Sequence, residues 1–377
     1  MIDRARIAEL RASEEARFIA ANPKSEAAAQ DRAYGWHQGV PFHWMRDWPS
    51  PFPLTAAHAH GAKLTTVDGH VLDDFCLGDT AAMFGHSPEP LSHALAIQAA
   101  QGLSYMLPSD KTADVGALLT ARFHHPHWQM TTTASEANRA VIRWARGITG
   151  RDKVLVFNGC YHGAVDDVFV DLRDGTAETR RSLVGQVWDV REHTIAIEFN
   201  DGRALEAALE RGDVACVLAE PVMTNCGMVL PRPGYLALMR EVTARTGTLL
   251  IWDETHTISS GPAGHSGSFG PSGDIFVIGK SIGGGVPCAA FGFSDAVARR
   301  MEEHRATLPP GHSGIGTTLS ANALAIAAMH AMLDDVMSPA AYAHMTGLAQ
   351  QLAGRIEGVI ERHEIGRASC RERVYAC

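Results

Sequence analysis

The sequence has no apolar run of bilayer length, no block of lysine or arginine, and no pair of cysteines spaced to grip a metal. A membrane-spanning helix needs about 20 consecutive apolar residues, so the first absence argues against one. The second, with a net charge of −9, argues against a nucleic-acid or anionic-membrane partner. The seven cysteines (Cys76, Cys160, Cys216, Cys226, Cys288, Cys370 and Cys377) are scattered, so reduced thiols are expected rather than zinc or redox sites. His124, His125 and His127 lie close together, but Pro126 breaks any helical ligand geometry and no acid or cysteine is near, so no metal is expected. A phosphate-loop pattern fails because the residue five before Gly279 is Asp274, and no GxGxxG followed by an acid points to a nicotinamide enzyme. The first 23 residues mix charge and apolar side chains at helical spacing, with Ile7, Leu10, Phe18 and Ala21 on one face of a helix over 3–21. That pattern suits neither a leader peptide nor an anchor, and a cytoplasmic location is the default expectation.

What is present centres on Leu249–Gly285, LLIWDETHTISSGPAGHSGSFGPSGDIFVIGKSIGGG. Two short runs rich in Ile, Val and Leu, each bounded by turn residues, read as strands buried on both faces of a parallel sheet. The first ends in Asp253 and Glu254, and the second leads to Lys280. Ligands of open α/β sheets gather at the carboxyl ends of the strands, so an acid and an amine should arrive at one edge. Pyridoxal phosphate uses that pair: a lysine amine to attach it, and an anion to keep its ring nitrogen protonated. Read singly, Asp253 could cap a turn and Lys280 could be a solvated surface lysine; the spacing after two buried strands favours the joint reading.

WDETHT followed by FVIGKSIGGGVPCAAFG resembles the class III (subgroup II) aminotransferases of pyridoxal-phosphate fold type I, and the resemblance runs from about Pro51 to Ala327. It implies an α/β fold: a large domain with a mostly parallel seven-stranded sheet, and a smaller α+β domain drawn from both termini. The expected divisions are 1–58 for the N-terminal part of the small domain and an active-site loop, 59–310 for the large domain, and 311–363 for an interface loop and the start of the C-terminal small domain. In residues 364–377, EIGRASCRERVYAC, helical periodicity stops, and the stretch resembles the translation of a sequencing adapter. It is expected to be a non-native tail on a chain lacking much of its small domain.

The resemblance also assigns residues. TTTASEANRAVIRWARGITG from Thr131 reads as a helix start, and it matches the family's phosphate segment, usually Ser-Gly-Thr-Glu-Ala. Ala134 and Ser135 are then expected to hold the cofactor phosphate, although Ala134 stands where the family has glycine. In KVLVFNGCYHG the Tyr161-His162 pair matches the family's Tyr-His-Gly, with Tyr161 stacking on the ring and Thr255 packing on its other face. Glu220, ending VACVLAE, is expected near the Asp253 end. Thr317 and Thr318 match a Ser/Thr-Thr pair that reaches the phosphate of a neighbouring subunit, which implies a homodimer. The aromatic segment GWHQGVPFHWMRDWPSPFPL suggests Trp36, Phe42, Trp44 and Arg46 as substrate contacts, and GDTAAMFGHSPEP suggests Met83 and Phe84.

The function so implied is a pyridoxal-phosphate-dependent transaminase, moving an amino group from an amine or a β- or ω-amino acid to a keto acid such as pyruvate. The same residues serve a glutamate-1-semialdehyde-type aminomutase, and a non-catalytic relative is the reading from a different class.

Overall fold

A computed structural model describes residues 3–363 apart from Ala33, Ser182, Trp188 and His312. Residues 364–377, the expected tail, lie outside the described residues. Contacts divide the chain into two units, one of residues up to 77 with 85–88, the other of residues 78–84 with those from 89 onward.

The N-terminal unit opens with the expected helix, Arg4–Ala21, whose cap is Asp3 accepting from the Arg6 backbone N–H. Pro23 starts a second helix, Pro23–Asp31, where its fixed φ fits the first turn and its missing N–H is no loss. A hairpin about Asp68-Gly69 forms from Lys63–Thr66 and Val71–Asp73, and a further strand, Ala56–His60, extends it to a three-stranded antiparallel sheet. The turn is tied to the second helix: the Asp68 carboxylate accepts from the backbone N–H groups of Lys24 and Ser25 at 2.7 and 3.1 Å, and from the Ser25 hydroxyl.

The large unit is built on seven strands: β1 His127–Thr131, β2 Lys153–Phe157, β3 Thr194–Ile197, β4 Val214–Ala219, β5 Leu249–Asp253, β6 Ile275–Ile278 and β7 Ala289–Phe293. Their order is β1-β7-β6-β5-β4-β2-β3. Every neighbouring pair from β6 to β3 is parallel, and β7 alone runs antiparallel to both of its neighbours. The expected mostly parallel, seven-stranded α/β sheet is therefore present. β6 shows why its residues read as a doubly buried strand. Ile275 and Val277 enter one hydrophobic cluster and Phe276 and Ile278 the other, which is the alternation a pleated strand imposes. Helices Ala134–Thr149 and Tyr235–Thr246 supply the first cluster, and Thr112–Phe123 and Ala323–Ala331 the second. Among the described residues, no helix is long and apolar enough to cross a membrane.

Candidate active site

Parallel strands share one carboxyl edge, and four of them deliver side chains there. β2 leads to Tyr161 and His162, β4 to Glu220, β5 ends in Asp253, and β6 leads to Lys280. The register Asp253↔Val277 sets the end of β5 beside β6 just before the turn carrying Lys280. These residues, with Ala134, Ser135 and Thr255, line one cavity of about 280 Å³. Asp253 and Lys280 thus share a single crevice, as their positions after adjacent strands predict.

Asp253 is 4 % exposed and held from three sides. Its Oδ2 accepts from Asn138 Nδ2 at 2.8 Å and from His162 Nδ1 at 2.9 Å, and its Oδ1 accepts from the Thr255 backbone N–H at 3.1 Å. Burial alone raises the carboxyl, but the hydrogen bonds and the charge of His162 outweigh it, and Asp253 sits below its ordinary range. Burial likewise lowers His162, yet its bond to Asp253 prevails and lifts it to about 10. The pair is a buried imidazolium–carboxylate, and the anion persists at neutral pH. Glu220, beside it, is pushed up by burial despite accepting from Thr224.

At the other end, helix Ala134–Thr149 starts at the cavity with Thr133 as its cap, accepting from the Glu136 N–H. Free N–H groups and the positive dipole end of a helix suit a phosphate. Two glycines keep this end open. A Cβ on Gly279 would come within 2.9 Å of Ala134 Cβ, and one on Gly163, at φ +81°, within 2.2 Å of Ser135 Oγ. Ala134 takes up ordinary helical backbone with no positive φ, so the family's glycine is not required for conformation here. The Ser135 hydroxyl accepts from the Ala164 N–H at 3.0 Å.

The residues fit pyridoxal phosphate. Thr255 Oγ1, Glu220 Oε1 and His162 Nε2 are buried polar atoms without a hydrogen-bond partner among the described residues, beside an ionised Asp253 with lone-pair capacity left on Oδ1. A phosphate cradle and a primary amine complete the set the group requires.

Lys280 sits in the turn Lys280–Gly283 at φ +51°, a backbone region that non-glycine residues rarely adopt. Its Nζ donates to Asp79 Oδ2 at 2.5 Å and lies 2.7 Å from His256 Nε2. Neither partner was singled out by motif, nor was Asn138. Asn138 did carry a signal, as a polar residue among Ala137, Val141 and Ala145 on the apolar face of its helix.

Other expected contacts are not among the residues lining this cavity. Met83 and Phe84 do not line the cavity: they pack against the second hydrophobic cluster, where the Phe84 ring meets Tyr342 edge-on at 5.3 Å. Apolar side chains at that turn gain more from the core than from a solvated cleft. Thr317 and Thr318 also stay outside the lining of this single chain, although Thr317 Oγ1 lies 3.4 Å from Oγ1 of Thr132, which does line it. Trp44 and Arg46 belong to the N-terminal unit, in the turn His43–Arg46. Trp44 is exposed, and Arg46 donates to the Gln38 carbonyl at 3.3 Å.

Among known proteins, the chain resembles the glutamate-1-semialdehyde 2,1-aminomutase of Methanosphaera stadtmanae, 37% identical over 284 residues, or 73% of this chain and 64% of that protein's length. Among solved structures it is similar to a glutamate-1-semialdehyde-aminomutase from Pseudomonas aeruginosa PAO1, with 45% identity, 96% of this chain and 81% of that one covered, and a TM-score of 0.92. It also resembles a β-phenylalanine aminotransferase from Variovorax paradoxus, with 28% identity, 94% and 79% covered, and a TM-score of 0.81. The aminotransferase class-III family profile matches residues 45–367, and the chain belongs to that family of pyridoxal-phosphate enzymes.

Proposed function

We propose that this chain binds pyridoxal phosphate in the cleft between Asp253 and Lys280 and relocates an amino group within one substrate, as an aminomutase of the glutamate-1-semialdehyde type. The observation that carries amino-group chemistry is the convergence of an ionised, buried Asp253 and a primary amine on one cavity beside a helix N-terminus. The likeness to the Pseudomonas aeruginosa and Methanosphaera stadtmanae aminomutases supports the intramolecular reaction over the transaminase expected from sequence alone.

When bound, the cofactor supplies an electron sink for negative charge at the substrate carbon. Asp253 keeps the ring nitrogen protonated, and the His162 and Asn138 hydrogen bonds hold that carboxylate in place. Lys280 Nζ takes a proton from the substrate carbon and returns it. Tyr161 and Thr255 confine the ring, and the N–H groups at Ala134 and Ser135 hold the phosphate. We assign Thr318 to the neighbouring site of a homodimer, Trp44 to a wall of the substrate pocket and Arg46 to a substrate carboxylate. Each is testable by substitution and by the mass of the protein in solution.

The second reading, transfer to a separate keto acid, is favoured by the likeness to the Variovorax paradoxus aminotransferase. Incubation with glutamate-1-semialdehyde alone separates the two. An isomer of unchanged mass supports the aminomutase. A requirement for added pyruvate or 2-oxoglutarate points to the transaminase, and failure to take up cofactor, read as no yellow absorbance, points to a non-catalytic relative.

A further inference from the structure

Asp79 and His256 stand at one corner of the cavity, and the role set out above uses neither. Both face Lys280: Asp79 Oδ2 is 2.5 Å and His256 Nε2 2.7 Å from Nζ. An ammonium donates to both, so His256 Nε2 accepts and the ring proton sits on Nδ1. Burial, then the charge of Lys280, lowers His256 and keeps it neutral. Asp79 is ionised, because its bond to Lys280 outweighs burial.

The backbone around this contact is unusual on both sides. Leu77, Gly78, Asp79 and Thr80 have successive φ values of +51, +57, +55 and +71°, and Lys280 is at +51°. Non-glycine residues rarely occupy that region singly, and a run of them persists only where the surrounding structure fixes it, as at functional sites. The turn holds an exposed carboxylate toward a partly buried amine. No arginine is among the described residues lining the cavity, so this corner carries an anion, a neutral acceptor and, apart from Lys280 itself, no cation.

We infer that Asp79 and His256 form a seat for a primary ammonium, holding Lys280 when its nitrogen is free and the incoming substrate's ammonium when Lys280 is engaged with the cofactor. The inference rests on the proposed function and deepens it. A substrate amine arrives protonated and must lose a proton before its lone pair can form a bond. His256 Nε2 accepts that proton. A second proton passes from the substrate nitrogen to the Lys280 nitrogen as the new carbon–nitrogen bond forms and the one to Lys280 breaks, so Lys280 leaves as a neutral amine able to take the proton from the substrate carbon, while His256 keeps the first. Proton and charge balance with no further reactant. Asp79 binds the cation in both states and repels a substrate carboxylate, so substrates enter this corner amine first. A quaternary ammonium, with no N–H, does not fit.

The test empties the seat. In Lys280→Ala protein free of cofactor, ethylammonium chloride should raise the melting temperature saturably, while tetramethylammonium chloride at equal ionic strength should not. Wild type, whose seat is filled, should not respond either. Adding Asp79→Asn, which keeps a residue tolerant of left-handed backbone, should weaken the ethylammonium response roughly 10- to 100-fold, the loss of a charge-assisted hydrogen bond. In the cofactor-loaded enzyme, Asp79→Asn alone should raise KM for the amine by about tenfold or more while the cofactor absorbance is unchanged. No saturable ethylammonium response in Lys280→Ala, or one indifferent to Asp79→Asn, overturns the seat. If the wild-type chain takes up no cofactor, the proposed function fails instead, and the ethylammonium result still decides whether the seat exists.

Discussion

Replacing His162 with leucine should destabilise the protein by about 3–5 kcal/mol, because it strands a buried anion. Asp253 and His162 are almost wholly enclosed and bonded at 2.9 Å. Without the imidazolium, the carboxylate keeps only Asn138 and the Thr255 N–H as donors. Chemical denaturation of the cofactor-free protein gives the magnitude, and its pH dependence gives the cause. The folded pKa of His162, about 10, lies above its ordinary value of 6.5, so its stabilisation is complete below 6.5 and disappears as pH rises toward 10. Asp253 is displaced below its ordinary 3.8, so its share is present above that value and is lost as pH falls. The gap between wild type and His162→Leu should therefore be widest from about pH 4 to 6.5 and narrow on both sides. A double variant with Asp253→Asn should lose at least about 1 kcal/mol less than the sum of the single losses. A His162→Leu cost under about 1 kcal/mol, unchanged across pH, would refute the ion pair as the support of Asp253.

Lys280→Ala should abolish the yellow absorbance and lower turnover by about 10²–10⁴-fold, the usual contribution of a positioned proton-transfer group, as followed by spectroscopy and product assay. Gly163→Ala places a methyl group 2.2 Å from Ser135 Oγ at φ +81°; it should cost about 1–3 kcal/mol and weaken cofactor binding, read by thermal melting and cofactor titration. Arg122 donates to the carbonyls of Leu333 and Met337, both at 2.6 Å. Arg122→Met should lower stability by about 1–3 kcal/mol while leaving cofactor affinity unchanged, which a melt and a titration of the same samples would show.

Several strands of the sheet were legible because burial on both sides writes itself as short Val, Ile and Leu runs: KVLVF, VACVLA and FVI fall within strands β2, β4 and β6, whereas β1 and β3, with fewer such residues, were not read. Lys280 and Asp253 were legible for the same reason, since each follows such a run. Asp79 was not, because a left-handed turn has no side-chain periodicity and the partner of Asp79 lies 201 residues away. Met83 and Phe84 pack against the second hydrophobic cluster, which their sequence could not show, because an apolar residue next to a Gly-His pair reads alike whether it faces a ligand or a core. In the N-terminal helix, the amphipathic spacing that predicted it did not predict burial: Ile7 and Leu10 remain about half exposed.

Asp253 and Glu254 are adjacent acids, yet a strand end sends neighbours in opposite directions. Asp253 faces the cleft, while Glu254, fully buried, takes hydrogen bonds from the Thr257 hydroxyl and from the His265 and Ser266 N–H groups. A substitution scan would flag both positions as intolerant, for unrelated causes: at 253 the purified protein should lose turnover, at 254 it should be lost before purification. An engineer retuning this enzyme should leave Glu254 untouched as part of the chassis and look for altered reactivity at the cleft side of the same dipeptide.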